Sequence, residues 1–149
     1  ELEAAAGGGG PVARKDPRFV WTLPAWDDVL PGAVRVCVFR EPLRTARSIL
    51  GMTDTGDLGL TLAGAVGVWT AAYRRCLHLA DAEGGRGWLF VHYDQLVDGT
   101  ALPALSESLG APLPGGFADA GLRRSRPEGD VPTAAAAVYY ELRARVRLP

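Results

Sequence analysis

Ala33-Val34-Arg35-Val36-Cys37-Val38-Phe39, followed at once by Arg40-Glu41-Pro42, is the stretch on which the fold turns. Its seven leading residues are β-branched and nearly continuous in apolar character, which predicts a strand buried on both faces. Pro42 then suits the first turn of a helix, because its fixed φ and missing N–H cost nothing there. That helix is predicted to run to about Met52. Residues 52–60, rich in Gly, Asp and Thr, read as a loop. Beyond it, Trp69, Tyr73, Leu77 and Leu79 give a longer helical pattern from Thr61 to about Ala82, weakened by Gly64 and Gly67. Trp88 to Tyr93 is a second buried-strand pattern, ending in Tyr93-Asp94. Apolar strands separated by helices predict an α/β fold with a parallel sheet.

Towards the N-terminus, Phe19, Trp26, Val29 and Leu30 predict a helix over 19–30, with Asp27 and Asp28 outward and Pro31-Gly32 as its stop. Val12 to Lys15 is a short candidate strand, ended by Asp16-Pro17. Residues 1–10 hold three alanines and Gly7 to Gly10 and read as a flexible lead-in. These glycines are not a phosphate loop, since no Lys and Ser/Thr follow them at the required spacing. Towards the C-terminus, Leu102 to Leu109 reads as a short helix. Thr133 to Arg147 reads as another, with Thr133 as its N-cap and arginines in its last turns.

With 149 residues the chain has the length of one domain. Sixteen basic and seventeen acidic residues leave a formal charge of −1, so no global field draws the chain to nucleic acid or anionic lipid. Fifteen of the sixteen basic residues are Arg, a bias that discounts any single arginine as a signal and raises the weight of Lys15. Cys37 and Cys76 lack CxxC or His spacing and read as small reduced core residues; no metal site is predicted. With no apolar run of 18 residues and no basic leader before an apolar stretch, the expectation is a cytoplasmic chain without a membrane span.

In a parallel sheet, ligands collect beyond the carboxyl ends of the strands. Lys15-Asp16, Arg40 through Ser48, and Tyr93-Asp94 are predicted to lie at such ends. A guanidinium at Arg40 and a hydroxyl at Ser48, eight residues on, converge on one anion if the intervening helix forms.

Three segments carry a resemblance. Val38-Phe39-Arg40-Glu41-Pro42 with Ser48 resembles the 3′-phosphate motif of sulfotransferases that use 3′-phosphoadenylyl sulfate (PAPS), in particular the bacterial and tyrosylprotein-type members. Lys15-Asp16-Pro17-Arg18 is similar to their KDP segment. Val91-His92-Tyr93-Asp94-Gln95-Leu96 is similar to their strand ending in Tyr-Glu-Asp-Leu, with Asp94-Gln95 in place of Glu-Asp. The likeness runs over about residues 11–130, in the same order.

The resemblance implies a P-loop-NTPase-like, three-layer α/β fold over residues 11–149, incomplete at its N-terminus. It implies PAPS as cofactor, with PAP as product, and sulfuryl transfer to a hydroxyl or amine on a small-molecule or glycan acceptor. Arg40 and Ser48 would hold the 3′-phosphate, Lys15 would stabilise charge on the leaving phosphate oxygen, and Tyr93 would lie near the adenosine. Arg124, with Arg123, matches the late basic loop over that phosphate. The 5′-phosphosulfate loop and the catalytic base of the family have no counterpart here; His78 and His92 read as structural. A non-catalytic relative that binds PAP, and a different α/β nucleotide-dependent transferase, stay open beside the enzyme reading.

Overall fold

The computed structural model describes residues 12–26, 29–51, 59–116 and 129–146. Within them a short helix α1 (Phe19–Thr22) runs into a 3-10 turn (Leu23–Ala25), followed by strand β1 (Arg35–Phe39) and helix α2 (Pro42–Leu50). The long helix α3 (Leu62–Ala82) leads to strand β2 (Trp88–His92), the single-turn helix α4 (Tyr93–Val97), α5 (Leu102–Leu109) and α6 (Thr133–Arg145). The fold is α/β: β1 and β2 pair in parallel, from Arg35 opposite Trp88 to Phe39 opposite His92.

Local chemistry explains most of the boundaries. Pro42 stands in the first turn of α2, and Gly51 closes it by donating to the Arg47 carbonyl at 3.0 Å. Thr61 caps α3, its hydroxyl accepting from the Gly64 N–H at 3.1 Å, so one orphan donor of the first turn is satisfied. At the end of α5, Gly110 takes the left-handed conformation at φ 61°, which a side-chain-bearing residue adopts at a cost.

Several sequence expectations are corrected. The predicted helix over 19–30 is one α-turn, because Pro24 has no N–H to continue the ladder and the chain tightens to 3-10. Phe19 and Trp26 still meet edge to face at 5.5 Å. Residues 12–16 form no strand, so Lys15 and Asp16 do not end one; instead Asp16 accepts from the Arg18 backbone N–H at 2.8 Å and from its guanidinium at 2.6 Å, closing a local turn. The last helix begins at Thr133 with Pro132, not Thr133, at the cap. The second strand stops at His92, and Tyr93 opens α4.

The core lies on one face of the sheet. Cys37, Phe39 and Phe90 pack with Leu43 and Ala46 of α2, with Trp69 and Leu77 of α3, and with Val138 and Leu142 of α6. The expected burial of β1 on both faces is not found: Val36 and Val38 are each 39% exposed, between a buried Cys37 and Phe39. A second, smaller cluster joins Val91 of β2 to Ala101 and Leu105, and no residue of β1 belongs to it. Among the described residues the cover on that side therefore reaches β2 alone, and β1 alternates in burial as a half-covered strand does.

Contacts tie the helices to this frame. Tyr73 on α3 donates to the Val38 carbonyl at 2.8 Å. Arg75 reaches from α3 to the Val20 carbonyl of α1 at 2.7 Å. Arg145 of α6 pairs with Asp81 of α3 at 2.7 Å. Both cysteines are free thiols, Cys37 buried and Cys76 half-buried against the same core. No helix among the described residues is long and apolar enough to cross a membrane.

Candidate functional site

Residues just past the carboxyl ends of β1 and β2 fall together because the strands are parallel and in register. Phe39 lies opposite His92, so Arg40 and Glu41 on one chain segment meet Tyr93 and Asp94 on the other. The Arg40 guanidinium lies over the Tyr93 ring, 4.8 Å from its centroid, a cation–π contact. Arg40 and Tyr93 thus both lie just past the strand ends, Tyr93 as the first residue of a helix.

Arg40 is mostly buried, with 14% of its side chain exposed. Among the described residues its Nε and Nη2 have no hydrogen-bond acceptor, and neither has the buried Nε of Arg44. Glu41 is the nearest carboxylate: its Oε2 lies 3.9 Å from Arg40 Nε and 3.8 Å from Arg44 Nε. Those separations give Coulomb attraction but not hydrogen bonds. Three buried guanidinium N–H groups without an acceptor are costly, and native proteins keep few such groups.

Ser48 belongs to the same stripe of α2. Positions 41, 44 and 48 recur at helical spacing, so Ser48 follows Glu41 and Arg44 on one face. It lies about 9 Å along the axis from Pro42, at a rise of about 1.5 Å per residue, and it is exposed. No hydrogen bond or ion pair joins it to Arg40 among the described residues. Lys15 is exposed on the 12–16 segment and touches none of these side chains through a hydrogen bond or ion pair. Arg123 and Arg124, the 1–10 lead-in and most of the 52–60 loop lie outside the described residues.

Beside the arginines opens a pocket of about 380 Å³, lined by Glu41, His92, Asp94, Gln95, Arg143 and Val146. His92 is its most constrained member. Its Nδ1 accepts from the Asp94 backbone N–H at 3.2 Å, which requires that nitrogen to be unprotonated. Nε2 therefore carries the proton and lies 3.1 Å from the Tyr139 hydroxyl on α6. Gln95 Oε1 accepts from the His92 backbone N–H at 3.3 Å, so the two residues cap α4 reciprocally. Burial pushes the His92 imidazole below its ordinary value, while Glu41 and Asp94 oppose that shift. It is a neutral ring at physiological pH.

Glu41, His92 and Asp94 each offer a ligand atom, all within 4.8 Å of one another. A cation there would have to take a His92 nitrogen from Asp94 or from Tyr139, and would sit beside the guanidiniums of Arg40 and Arg44. Among the described residues the buried polar atoms of Arg40, Glu41 and Arg44 without a hydrogen bond are three guanidinium nitrogens and one carboxylate oxygen, Oε2 of Glu41. Donors outnumber acceptors, so an anion suits the arginine side of the site better than a metal ion does.

Sequence reasoning missed Arg44, discounted with the other arginines, and Glu41, quoted only as part of the motif. It read His92 as structural, without its link to α6. A usable signal existed for two of them. Arg44 stands three residues after Glu41 and four before Ser48, a pattern that puts all three on one face. For His92 the partner, Tyr139, is 47 residues away, and nothing local announces it.

No family model matches the chain, and neither characterised proteins nor solved structures give a match.

Proposed function

We propose that the chain binds the 3′-phosphate of PAPS or PAP through Arg40, Arg44 and Ser48, as the cofactor-binding section of a sulfotransferase with a P-loop-like, three-layer architecture. The observation that carries this reading is the set of three buried N–H donors on Arg40 and Arg44 that lack an acceptor at the carboxyl end of β1. A phosphate monoester supplies the missing acceptors and the charge, and a planar guanidinium binds two of its oxygens at once. The N-terminal turn of α2 adds a favourable dipole. Tyr93, held by Arg40 on one face, would be the ring nearest the adenosine.

When bound, PAPS would supply an activated sulfuryl group for transfer to a hydroxyl or amine. The chain's own residues would then hold the phosphate and orient the nucleotide, with Lys15 as the cation for the leaving oxygen. The neutral His92 has its accepting nitrogen engaged by Asp94, so it orders the pocket rather than taking the acceptor's proton. A second reading, PAP binding without transfer, is favoured by one observation: Lys15 is exposed and makes no hydrogen bond or ion pair with the pocket.

Calorimetry with PAP and with 5′-AMP tests the binding step, and turnover of labelled PAPS tests transfer. PAP binding that is lost in Arg40→Ala, with 5′-AMP binding much more weakly, is the expected result. Equal affinity for the two nucleotides would overturn the 3′-phosphate assignment. PAP binding without sulfation of any hydroxyl or amine acceptor offered would leave the second reading standing in place of the first.

A further inference from the structure

Cys37 and Cys76 are 39 positions apart in sequence, one in the middle of β1 and the other in the fourth turn of α3. The fold brings them together. Tyr73 lies one turn before Cys76 on the same face of α3, and its hydroxyl is fastened to the Val38 carbonyl, the residue after Cys37. Cys76 packs against the core cluster that contains Cys37, and the two thiols lie near enough to shift one another's titration. The neighbouring Cys76 thiol and burial push Cys37 up, while Cys37 and the Arg75 guanidinium hold Cys76 below the usual thiol range, against burial. The pair stands apart from the arginine site and has no part in the binding proposed for it.

We propose that Cys37 and Cys76 form a reversible disulfide that clips β1 to α3, with Cys76 as the entering nucleophile and Cys37 as the resolving thiol. Cys76 is the more accessible of the two, so a small disulfide reaches it first. The Cys76 thiolate attacks one sulfur of oxidised glutathione, forming a mixed disulfide and expelling one glutathione thiolate, which takes up a proton. Cys37 then gives up its proton and attacks the Cys76 sulfur, expelling the second glutathione as its thiol. The protein loses two hydrogens, and one oxidised glutathione becomes two reduced molecules. The link closes a loop of about 40 residues and fixes the strand that carries Arg40 to the central helix.

The test uses the full folded chain and oxidised glutathione as the oxidant. After incubation the mixture is quenched in acid, unfolded, alkylated and analysed by intact mass and peptide mapping. The expected product is a monomer that takes no alkylating group at Cys37 or Cys76, retains no glutathione and yields one cross-linked peptide pair. Dithiothreitol restores both alkylation sites. Cys37→Ser is expected to stall as a stable glutathione adduct on Cys76, and Cys76→Ser to leave Cys37 unmodified. A persistent adduct on Cys76 of the unaltered chain with Cys37 still free would overturn the proposal. So would two unreacted thiols, or links formed only between chains; these outcomes need no variant to fold.

Discussion

Replacing Arg40 by Met separates binding from stability in a way that few other substitutions here would. Met keeps an unbranched apolar stem of similar reach and removes the guanidinium. In the proposed complex, Arg40 Nε and Nη2, the two donors that lack an acceptor in the free chain, would each bond a phosphate oxygen, and each such charge-assisted hydrogen bond contributes about 1.5–3 kcal/mol. Losing both costs about 3–6 kcal/mol, two to four decades in Kd for PAP. In the free chain the sign differs. The substitution removes a cation–π contact with Tyr93 that contributes about 0.5–1 kcal/mol, and a 3.9 Å ion pair with Glu41 that contributes about 0–1 kcal/mol. It also removes two buried donors whose lack of an acceptor costs about 1–3 kcal/mol each. The free protein should therefore melt at the same temperature or higher. Calorimetry with PAP and 5′-AMP, beside thermal melts of the free chain, reads both effects. A loss of PAP affinity below tenfold would refute the reasoning. So would a fall in melting temperature beyond about 6 °C, the equivalent of roughly 2 kcal/mol at this chain length, since Arg40 would then be a structural ion-pair residue.

Glu41→Gln should tighten anion binding several-fold, because a carboxylate within 3.9 Å of both arginine Nε atoms competes with any incoming anion; titration with PAP or inorganic sulfate checks it, and weaker binding would oppose it. The His92 imidazole is held below the ordinary value of 6.5, chiefly by burial, so the unfolded chain takes up a proton first as pH falls. Stability should consequently drop between about pH 7 and 5, measured as urea midpoints, and His92→Gln should flatten that slope. Thr61→Ala removes the hydroxyl that accepts from Gly64 and should destabilise by about 0.5–2 kcal/mol, read by the same denaturation, with no effect on anion binding.

The elements with strong local signals were readable from the chain. Pro42 and Gly51 bracket α2, and the apolar residues from Val36 to Phe39 and from Leu89 to Val91 define two parallel strands. Trp69 and Leu77 sit where a helical period puts core residues, and both are buried. Arg40 and Tyr93 meet as strand-end residues should. What escaped was decided at a distance or by competition. Pro24 outweighed the apolar spacing from Phe19 to Leu30. Tyr93 looked like the end of a strand, but the capping exchange between His92 and Gln95 turns the chain one residue earlier. Val36 and Val38 are as apolar as Cys37 and Phe39, so sequence alone could not tell which face the helices would cover. Contacts such as His92 with Tyr139, and Cys37 with Cys76, join residues about 40 or more positions apart and leave no local trace.

The parallel pairing of β1 with β2 carries a kinetic consequence. A hairpin can zip from its turn, but these strands are joined through the whole of residues 40–87, so no ladder bond forms until α2 and α3 have folded and docked. Loop closure of that length is paid before any sheet contact returns it. The strand ends are therefore expected to come into register late, after the helices. Arg40, Glu41, Tyr93 and Asp94, which depend on that register, are expected to assemble with it. A ligand that bridges them adds its stabilisation at that late step, slowing unfolding more than it speeds folding.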